Sequence, residues 1–303
     1  MKPLLICLYY GISSTLTNIS NKYLINNFNF KCSFIMLLIQ CSIAILFIEG
    51  ARRKGVYKDI PKMSITQMKR SSIMTLAFMG NIIFGLIGMT YVNLPMYVSL
   101  RKQSTVMVYI SELYLFKKPI EKWSTVGVLM ISLGAVISAI NDYSSSLLGY
   151  LIVLTSNVMN TGLLYSAKKM KMEDSKNGAF AQLYYTAILS IPFILISIYY
   201  TKENVSLQSN PYLNSSEFLI CLVVAGCMAF NNNFGCFLCA TQNSPMATTV
   251  TGNVKDIVSV FIGLLAFSDV KPTPLFLTGI IFSATGALLY SATKLKDLKT
   301  KKE

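Results

Sequence analysis

Apolar windows of about 20 residues, the length a helix needs to cross a bilayer, recur along this chain with little left between them. They fall at 3–24, 33–50, 71–91, 95–115, 123–140, 147–167, 178–200, 216–238, 245–266 and 273–293. Ten spans nearly exhaust the 303 residues, so a separate soluble domain has no room. A composition that is 53% hydrophobic and 13% charged, with no histidine, also suits lipid better than water. The expected class is an all-α integral membrane protein. Asn18, Asn21 and Lys22 interrupt the first window and no small-residue cleavage site follows, so it reads as a span and not as a signal peptide.

A net charge of +14 would suit nucleic acid, but the 27 Lys and Arg sort by membrane side instead. With a cytoplasmic N-terminus, one face collects Lys2, the basic run from Arg52 to Arg70, Lys117, Lys118, Lys122, the run from Lys168 to Lys176 and the run from Lys294 to Lys302. The other face holds Lys22, Lys31, Lys202 and Lys271. No nucleic-acid partner is implied, and both termini are expected in the cytoplasm. The 201–215 loop then faces a lumen, where Asn204 (Asn-Val-Ser) and Asn214 (Asn-Ser-Ser) are candidate N-glycosylation sites. The seven cysteines show no metal-ligand spacing, so no metal or cofactor is expected.

Residues 79–96 and 229–246 align at a constant offset, sharing Asn81/Asn231, Phe84/Phe234, Gly85/Gly235, Asn93/Asn243, Pro95/Pro245 and Met96/Met246. Gly127 and Gly134 match Gly279 and Gly286 with the offset two residues longer. This pattern predicts a duplication: a first five-helix repeat over 1–145, a second over 146–293, and a basic cytoplasmic tail over 294–303. Because five is odd, the second copy enters the membrane from the opposite side, which gives ten transmembrane helices in two inverted repeats. Transporters built this way place the substrate at the repeat interface near the midplane.

Arg101 and Lys102 sit inside the fourth window. Facing lipid, they would together cost roughly 5–7 kcal/mol on insertion scales, so they must face something polar. Tyr97, Arg101, Thr105 and Glu112 share one broad helical face, but Glu112 lies about 16 Å along the axis from Arg101, too far for direct pairing. In the ninth window, Thr248, Thr251, Gly252, Lys255 and Ser259 repeat at spacings of three and four, which again places a cation among hydroxyls. Cations at matching depths in both halves favour an anion, and phosphate suits Arg as a bidentate partner and Lys as a point charge. Tyr184 and Tyr185, with Asn231, Asn232 and Asn233, offer stacking and hydrogen bonds to a base or sugar; packing and interhelical bonding are the competing roles. Lys22 either snorkels to the interface or closes the cavity on that side.

Four motifs carry a family resemblance: Asn21-Lys22, the Leu94–Lys102 run, Leu183-Tyr-Tyr-Thr186 and Gly252-Asn-Val-Lys-Asp256. Over all ten spans the chain resembles the nucleotide-sugar transporters of the drug/metabolite transporter superfamily, and most of all their UDP-sugar branch. GDP-mannose carriers have Phe-Tyr-Asn-Asn and Gly-Ala-Leu-Asn-Lys at the corresponding places, so the resemblance favours a different base. Distant plastid triose-phosphate translocators carry a Lys-Arg pair where this chain has Lys255-Asp256, which counts against a bare sugar phosphate.

The resemblance implies a transporter and not an enzyme: an antiporter of the Golgi or endoplasmic reticulum membrane that moves a cytosolic UDP-sugar inward for UMP. Within that role Arg101, Lys102 and Lys255 would hold phosphate. Tyr97, Tyr184, Tyr185, Asn231, Asn232, Gly252 and Asn253 would contact base or sugar, and Lys22, Gly85 and Gly235 would serve a gate. A homodimer is a candidate assembly. The terminal Lys299-Thr-Lys301-Lys-Glu303 is either a dilysine signal read by coat proteins or a solvated basic tail. Competing functional classes are a GDP-sugar carrier, a plastid-type exchanger, a proton-coupled exporter and a membrane scaffold.

Overall fold

The computed structural model describes residues 3–30, 32–55, 65–92, 97, 100–115, 117, 121–139, 147–173, 178–266 and 274–300; at 22, 26, 67, 139, 171–173, 256–266, 276 and 294–300 it describes backbone alone. Every regular element among these residues is a helix: α1 (Pro3–Phe28), α2 (Ser33–Arg53), α3 (Ile65–Tyr91), α4 (Ser104–Leu115), α5 (Lys122–Ala139), α6 (Leu147–Glu173), α7 (Gly178–Thr201), α8 (Glu203–Gln208), α9 (Ser216–Gln242), α10 (Pro245–Ala266) and α11 (Pro274–Thr300). Within the described residues, five helices are long and apolar enough to cross a membrane, in α2, α3, α6, α7 and α9. Shorter apolar stretches lie in α5 and α11. The chain is therefore an all-helical, multi-pass membrane protein.

Two departures from the sequence reading have local causes. The fourth window is not one continuous helix. Residues 100–102 are helical, Gln103 is a turn, and α4 starts at Ser104. The 201–215 loop contains α8, which starts after Lys202 at φ 55°, a left-handed residue that lets the chain fold back.

The contacts form two compact units, residues 1–79 with 166–242, and 80–165 with 243–303. In the first unit α1 packs along α9, and α2 packs on α7 and α9. The α1–α9 approach is close at Gly235, where a Cβ would lie 3.1 Å from the Tyr10 Cα. Leu24, Phe28, Phe30, Ile35, Phe218 and Ala225 form a core beside the α1–α2 connection. There Cys32 occupies the N-cap of α2 without a side-chain cap bond. Buried Glu203 supplies the cap instead, accepting from the Phe34 N–H at 3.1 Å and the Ile35 N–H at 2.9 Å.

In the second unit α5 and α11 run antiparallel at glycine contact. A Cβ at Gly134 would lie 2.5 Å from the Ser283 nitrogen and 2.6 Å from the Gly279 carbonyl oxygen; one at Gly279 would lie 2.5 Å from the Ser138 nitrogen and 2.6 Å from the Gly134 carbonyl oxygen. Gly127 and Gly286 face one another in the same way. α3 and α6 are also antiparallel here, with Gly80 against Met159, Gly85 against Ser156 and Gly88 against Val153. The start of α10 is fully capped. Ser244 Oγ accepts from the Ala247 N–H at 3.1 Å, Pro245 has no N–H to satisfy, and the Met246 N–H donates to Glu112 Oε1 at 2.8 Å.

Candidate functional site

In the second unit Arg101 is half-buried, and its guanidinium rests on neutral groups. Nη1 donates to Asn81 Oδ1 and to Ser156 Oγ, both at 2.7 Å, and Ser156 Oγ donates in turn to the Asn81 carbonyl at 2.9 Å. No described carboxylate pairs with Arg101. Tyr97 belongs to the same group: a Cβ at Gly85 would lie 3.2 Å from the Tyr97 hydroxyl and 3.4 Å from Ser156 Oγ. Gly85 thus leaves the space into which the tyrosine hydroxyl and the serine point. The whole makes a cationic spot with neutral donors around it and no counter-charge in its described surroundings, the chemistry that receives a phosphate.

Lys102, one residue on, turns about 100° away along the helix. It is 6% exposed, and its Nζ donates to Ser283 Oγ on α11 at 3.3 Å, at the glycine crossing. The structure therefore separates the two adjacent cations. Lys255 and Gly252 are half-buried on α10, whereas Asn253 is buried and donates from Nδ2 to Thr105 Oγ1 at 2.8 Å, tying α10 to α4. Glu112 serves the start of α10 and so has a structural partner of its own, as the axial distance from Arg101 requires. The side chain of Asp256 and residues 93–96, which include Pro95-Met96, lie outside the described residues.

In the first unit Tyr184 and Tyr185 lie with ring centroids 5.7 Å apart, both buried. The Tyr184 hydroxyl donates to Glu49 Oε2 at 3.3 Å, while Glu49 Oε1 accepts from Arg52 at 2.7 Å. Asn231 bonds locally, accepting from the Tyr9 hydroxyl at 2.8 Å and donating to the Cys227 carbonyl at 2.9 Å. Asn232 has a buried Oδ1 with no partner among the described residues. A small cleft beside these residues is lined by Gln40, Phe78, Thr186, Phe230, Asn233 and Phe237, among others. The buried Thr186 hydroxyl there has no described partner. The cleft combines aromatic walls with uncharged hydrogen-bonding groups and has room for about one water molecule. Gly235 sits at the α1 contact. The side chain of Lys22 lies outside the described residues, as do the side chain of Lys299 and all of Lys301. Asn204, on α8, and Asn214, just before α9, are both exposed.

Sequence reasoning singled out Arg101 but not the groups that hold it. Ser156 and Asn157 look like ordinary polar residues in a span. Asn81 stood out only as a repeated position, paired with Asn231. Gln40 gave no signal and Thr186 entered only as the end of the Leu183–Thr186 motif, because a single amide or hydroxyl in a span is indistinguishable by spacing from one that bonds its own helix.

The triose-phosphate transporter family model matches residues 1–291. UDP-galactose/UDP-glucose transporter 7 of Arabidopsis thaliana is 29% identical over 297 residues, 96% of this chain and 90% of that protein. UDP-sugar transporter UST74c of Drosophila melanogaster is 27% identical over 286 residues, 94% of this chain and 76% of its own. A protein crystal structure superposes with a TM-score of 0.65 over 97% of this chain and 98% of its own; at 11% identity that likeness concerns the fold alone. With a family match running from the first residue to the last apolar span, the chain belongs to the triose-phosphate transporter family, whose members carry solutes across membranes.

Proposed function

We propose that the protein is a nucleotide-sugar antiporter that takes a cytosolic UDP-sugar into the lumen of the Golgi or endoplasmic reticulum and returns UMP by alternating access. The observation that carries this reading is Arg101, a half-buried guanidinium held by Asn81 and Ser156 with no described carboxylate on it. Relatives with UDP-sugars in their names support the substrate class. Lys255 would reach the same phosphates. Lys102 would hold the helix at Ser283.

The ten-helix inverted repeat draws support from the glycine contacts. If Gly127 and Gly134 are the counterparts of Gly279 and Gly286, the contact of Gly127 with Gly286 becomes, under the repeat operation, the contact of Gly279 with Gly134, and both occur. Gly85, at the α3–α6 approach, and its repeat counterpart Gly235, at the α9–α1 approach, each sit at a close helix contact. A proton-coupled exporter fits less well, since buried Glu112 and Glu203 are engaged as helix caps.

Exchange of labelled UDP-sugars for UMP in proteoliposomes tests the proposal. Arg101→Ala should lower exchange about 10–100-fold, the worth of charge-assisted bonds to phosphate. Unchanged exchange in that variant would refute the phosphate role. Competition by GDP-mannose or by a triose phosphate in place of UMP would reassign the substrate.

A further inference from the structure

Arg101 lies where the fourth span is broken. The Gln103 N–H bonds back to the Leu100 carbonyl at 3.0 Å, and the Val106 N–H to the Gln103 carbonyl at 3.1 Å. The first is a three-residue closure, tighter than the α-helical ladder and typical of a break within a span; the second opens α4, where the Gln103 carbonyl also accepts from the Met107 N–H at 3.4 Å. The Leu100 carbonyl keeps a second lone pair that can accept from a further donor. Asn157 on α6, 0% exposed, provides it: Nδ2 donates to the Leu100 carbonyl at 2.6 Å. The amide orientation follows from this partner, because only nitrogen can donate to a carbonyl. On the other side of the turn Gln103 Nε2 donates to the Ser132 carbonyl at 3.3 Å. Next to Asn157 in sequence, Ser156 accepts from the guanidinium itself.

We propose that Asn157 is the positioning residue of the anion site: by holding the Leu100 carbonyl it fixes the broken backbone one residue before Arg101, so that the guanidinium meets the phosphate without rearrangement. The inference rests on the reading of Arg101 as the phosphate-binding cation. Asn157 touches the backbone and acts on the ligand only through Arg101. Its loss would leave Asn81 and Ser156 in place but let the segment that carries Arg101 sample other turns, which weakens binding through lost pre-organisation.

The test measures UMP affinity, from UMP-dependent thermal stabilisation of the full-length protein in detergent, and KM and kcat for UMP exchange in proteoliposomes. Asn157→Leu keeps the shape and removes the donor. It should weaken UMP about tenfold, in KM far more than in kcat, while Asn157→Gln, which restores a donor, recovers most of the loss. In an Arg101→Lys background, where the planar fork is already gone, Asn157→Leu should add less than about twofold. Should Asn157→Leu not fold, Asn157→Ser carries the same readout with a shorter donor, and an intermediate loss is expected. UMP affinity unchanged in Asn157→Leu, or lost equally in the Arg101→Lys background, would overturn the positioning role alone. Undiminished UMP affinity in Arg101→Ala would overturn the phosphate reading and this inference with it.

Discussion

Replacing Gly134 by alanine tests one of the two closest glycine approaches among the described residues. The added Cβ would lie 2.5 Å from the Ser283 nitrogen, against an ordinary contact limit of 3.4 Å, so α5 and α11 must open by about 0.9 Å. The obstacle is backbone on both sides and no rotamer change relieves it. Overpacking of this kind costs about 1–3 kcal/mol, while alanine recovers up to about 1 kcal/mol of helix propensity. The net expectation is a loss of roughly 1–2 kcal/mol, which lowers the melting temperature by roughly 2–4 °C per kcal/mol. Gly279→Ala should cost the same, because its Cβ meets the Ser138 nitrogen at the same 2.5 Å and the Gly134 carbonyl oxygen at the same 2.6 Å. The double variant should cost less than the sum, since one substitution already opens the crossing for the other. Gly50→Ala is the control: nothing lies within 4 Å of a Cβ there, so it should be neutral or stabilising. Thermal unfolding of the purified protein in detergent, followed by tryptophan and tyrosine fluorescence, gives all four values. Strict additivity of Gly134→Ala and Gly279→Ala, or a melting temperature unchanged in either, would refute the argument.

Glu203→Ala removes both acceptors from the first turn of α2 and should destabilise the protein by about 1–2 kcal/mol, whereas Glu203→Gln, which keeps one acceptor oxygen, should lose less; melting temperatures distinguish them. Glu112→Ala should act in the same way on α10 and lower stability by about 1–3 kcal/mol without abolishing UMP-dependent stabilisation, because the carboxylate serves the Met246 N–H. Burial, with the Glu203 carboxylate adding to it, pushes the Cys32 thiol above its ordinary value. Cys32 should therefore resist maleimide at pH 8 and react faster in Glu203→Gln, read by mass spectrometry. The same site draws stability from the neutral thiol, and that contribution falls as pH climbs through the alkaline range where the unfolded thiol ionises first.

The sequence carried the helical membrane architecture because lipid leaves so few choices: a chain that must satisfy its own backbone announces each span by length and hydropathy. It also exposed Arg101, since a charge in such a span stands out against its neighbours. What it hid is direction. Arg101 and Lys102 look equivalent in the sequence, yet one residue of helix sends Lys102 to Ser283 and Arg101 to Asn81 and Ser156. The turn at Gln103 was invisible too, because no proline or glycine marks it; side chains from other helices, Asn157 and the backbone of Ser132, hold it open.

Buried charge is used differently by sign in this chain, and that asymmetry links fold to function. The carboxylates with described partners are committed. Glu203 and Glu112 cap α2 and α10, where the helix dipole and unsatisfied N–H groups stabilise a negative charge. Glu49 holds Arg52 and the Tyr184 hydroxyl. None of these described carboxylates pairs with Arg101, which rests on an amide and a hydroxyl. If Glu112 were instead the partner of Arg101, substituting it would free the guanidinium and tighten UMP binding. Since it serves Met246, Glu112→Gln should leave UMP affinity within about twofold while stability falls.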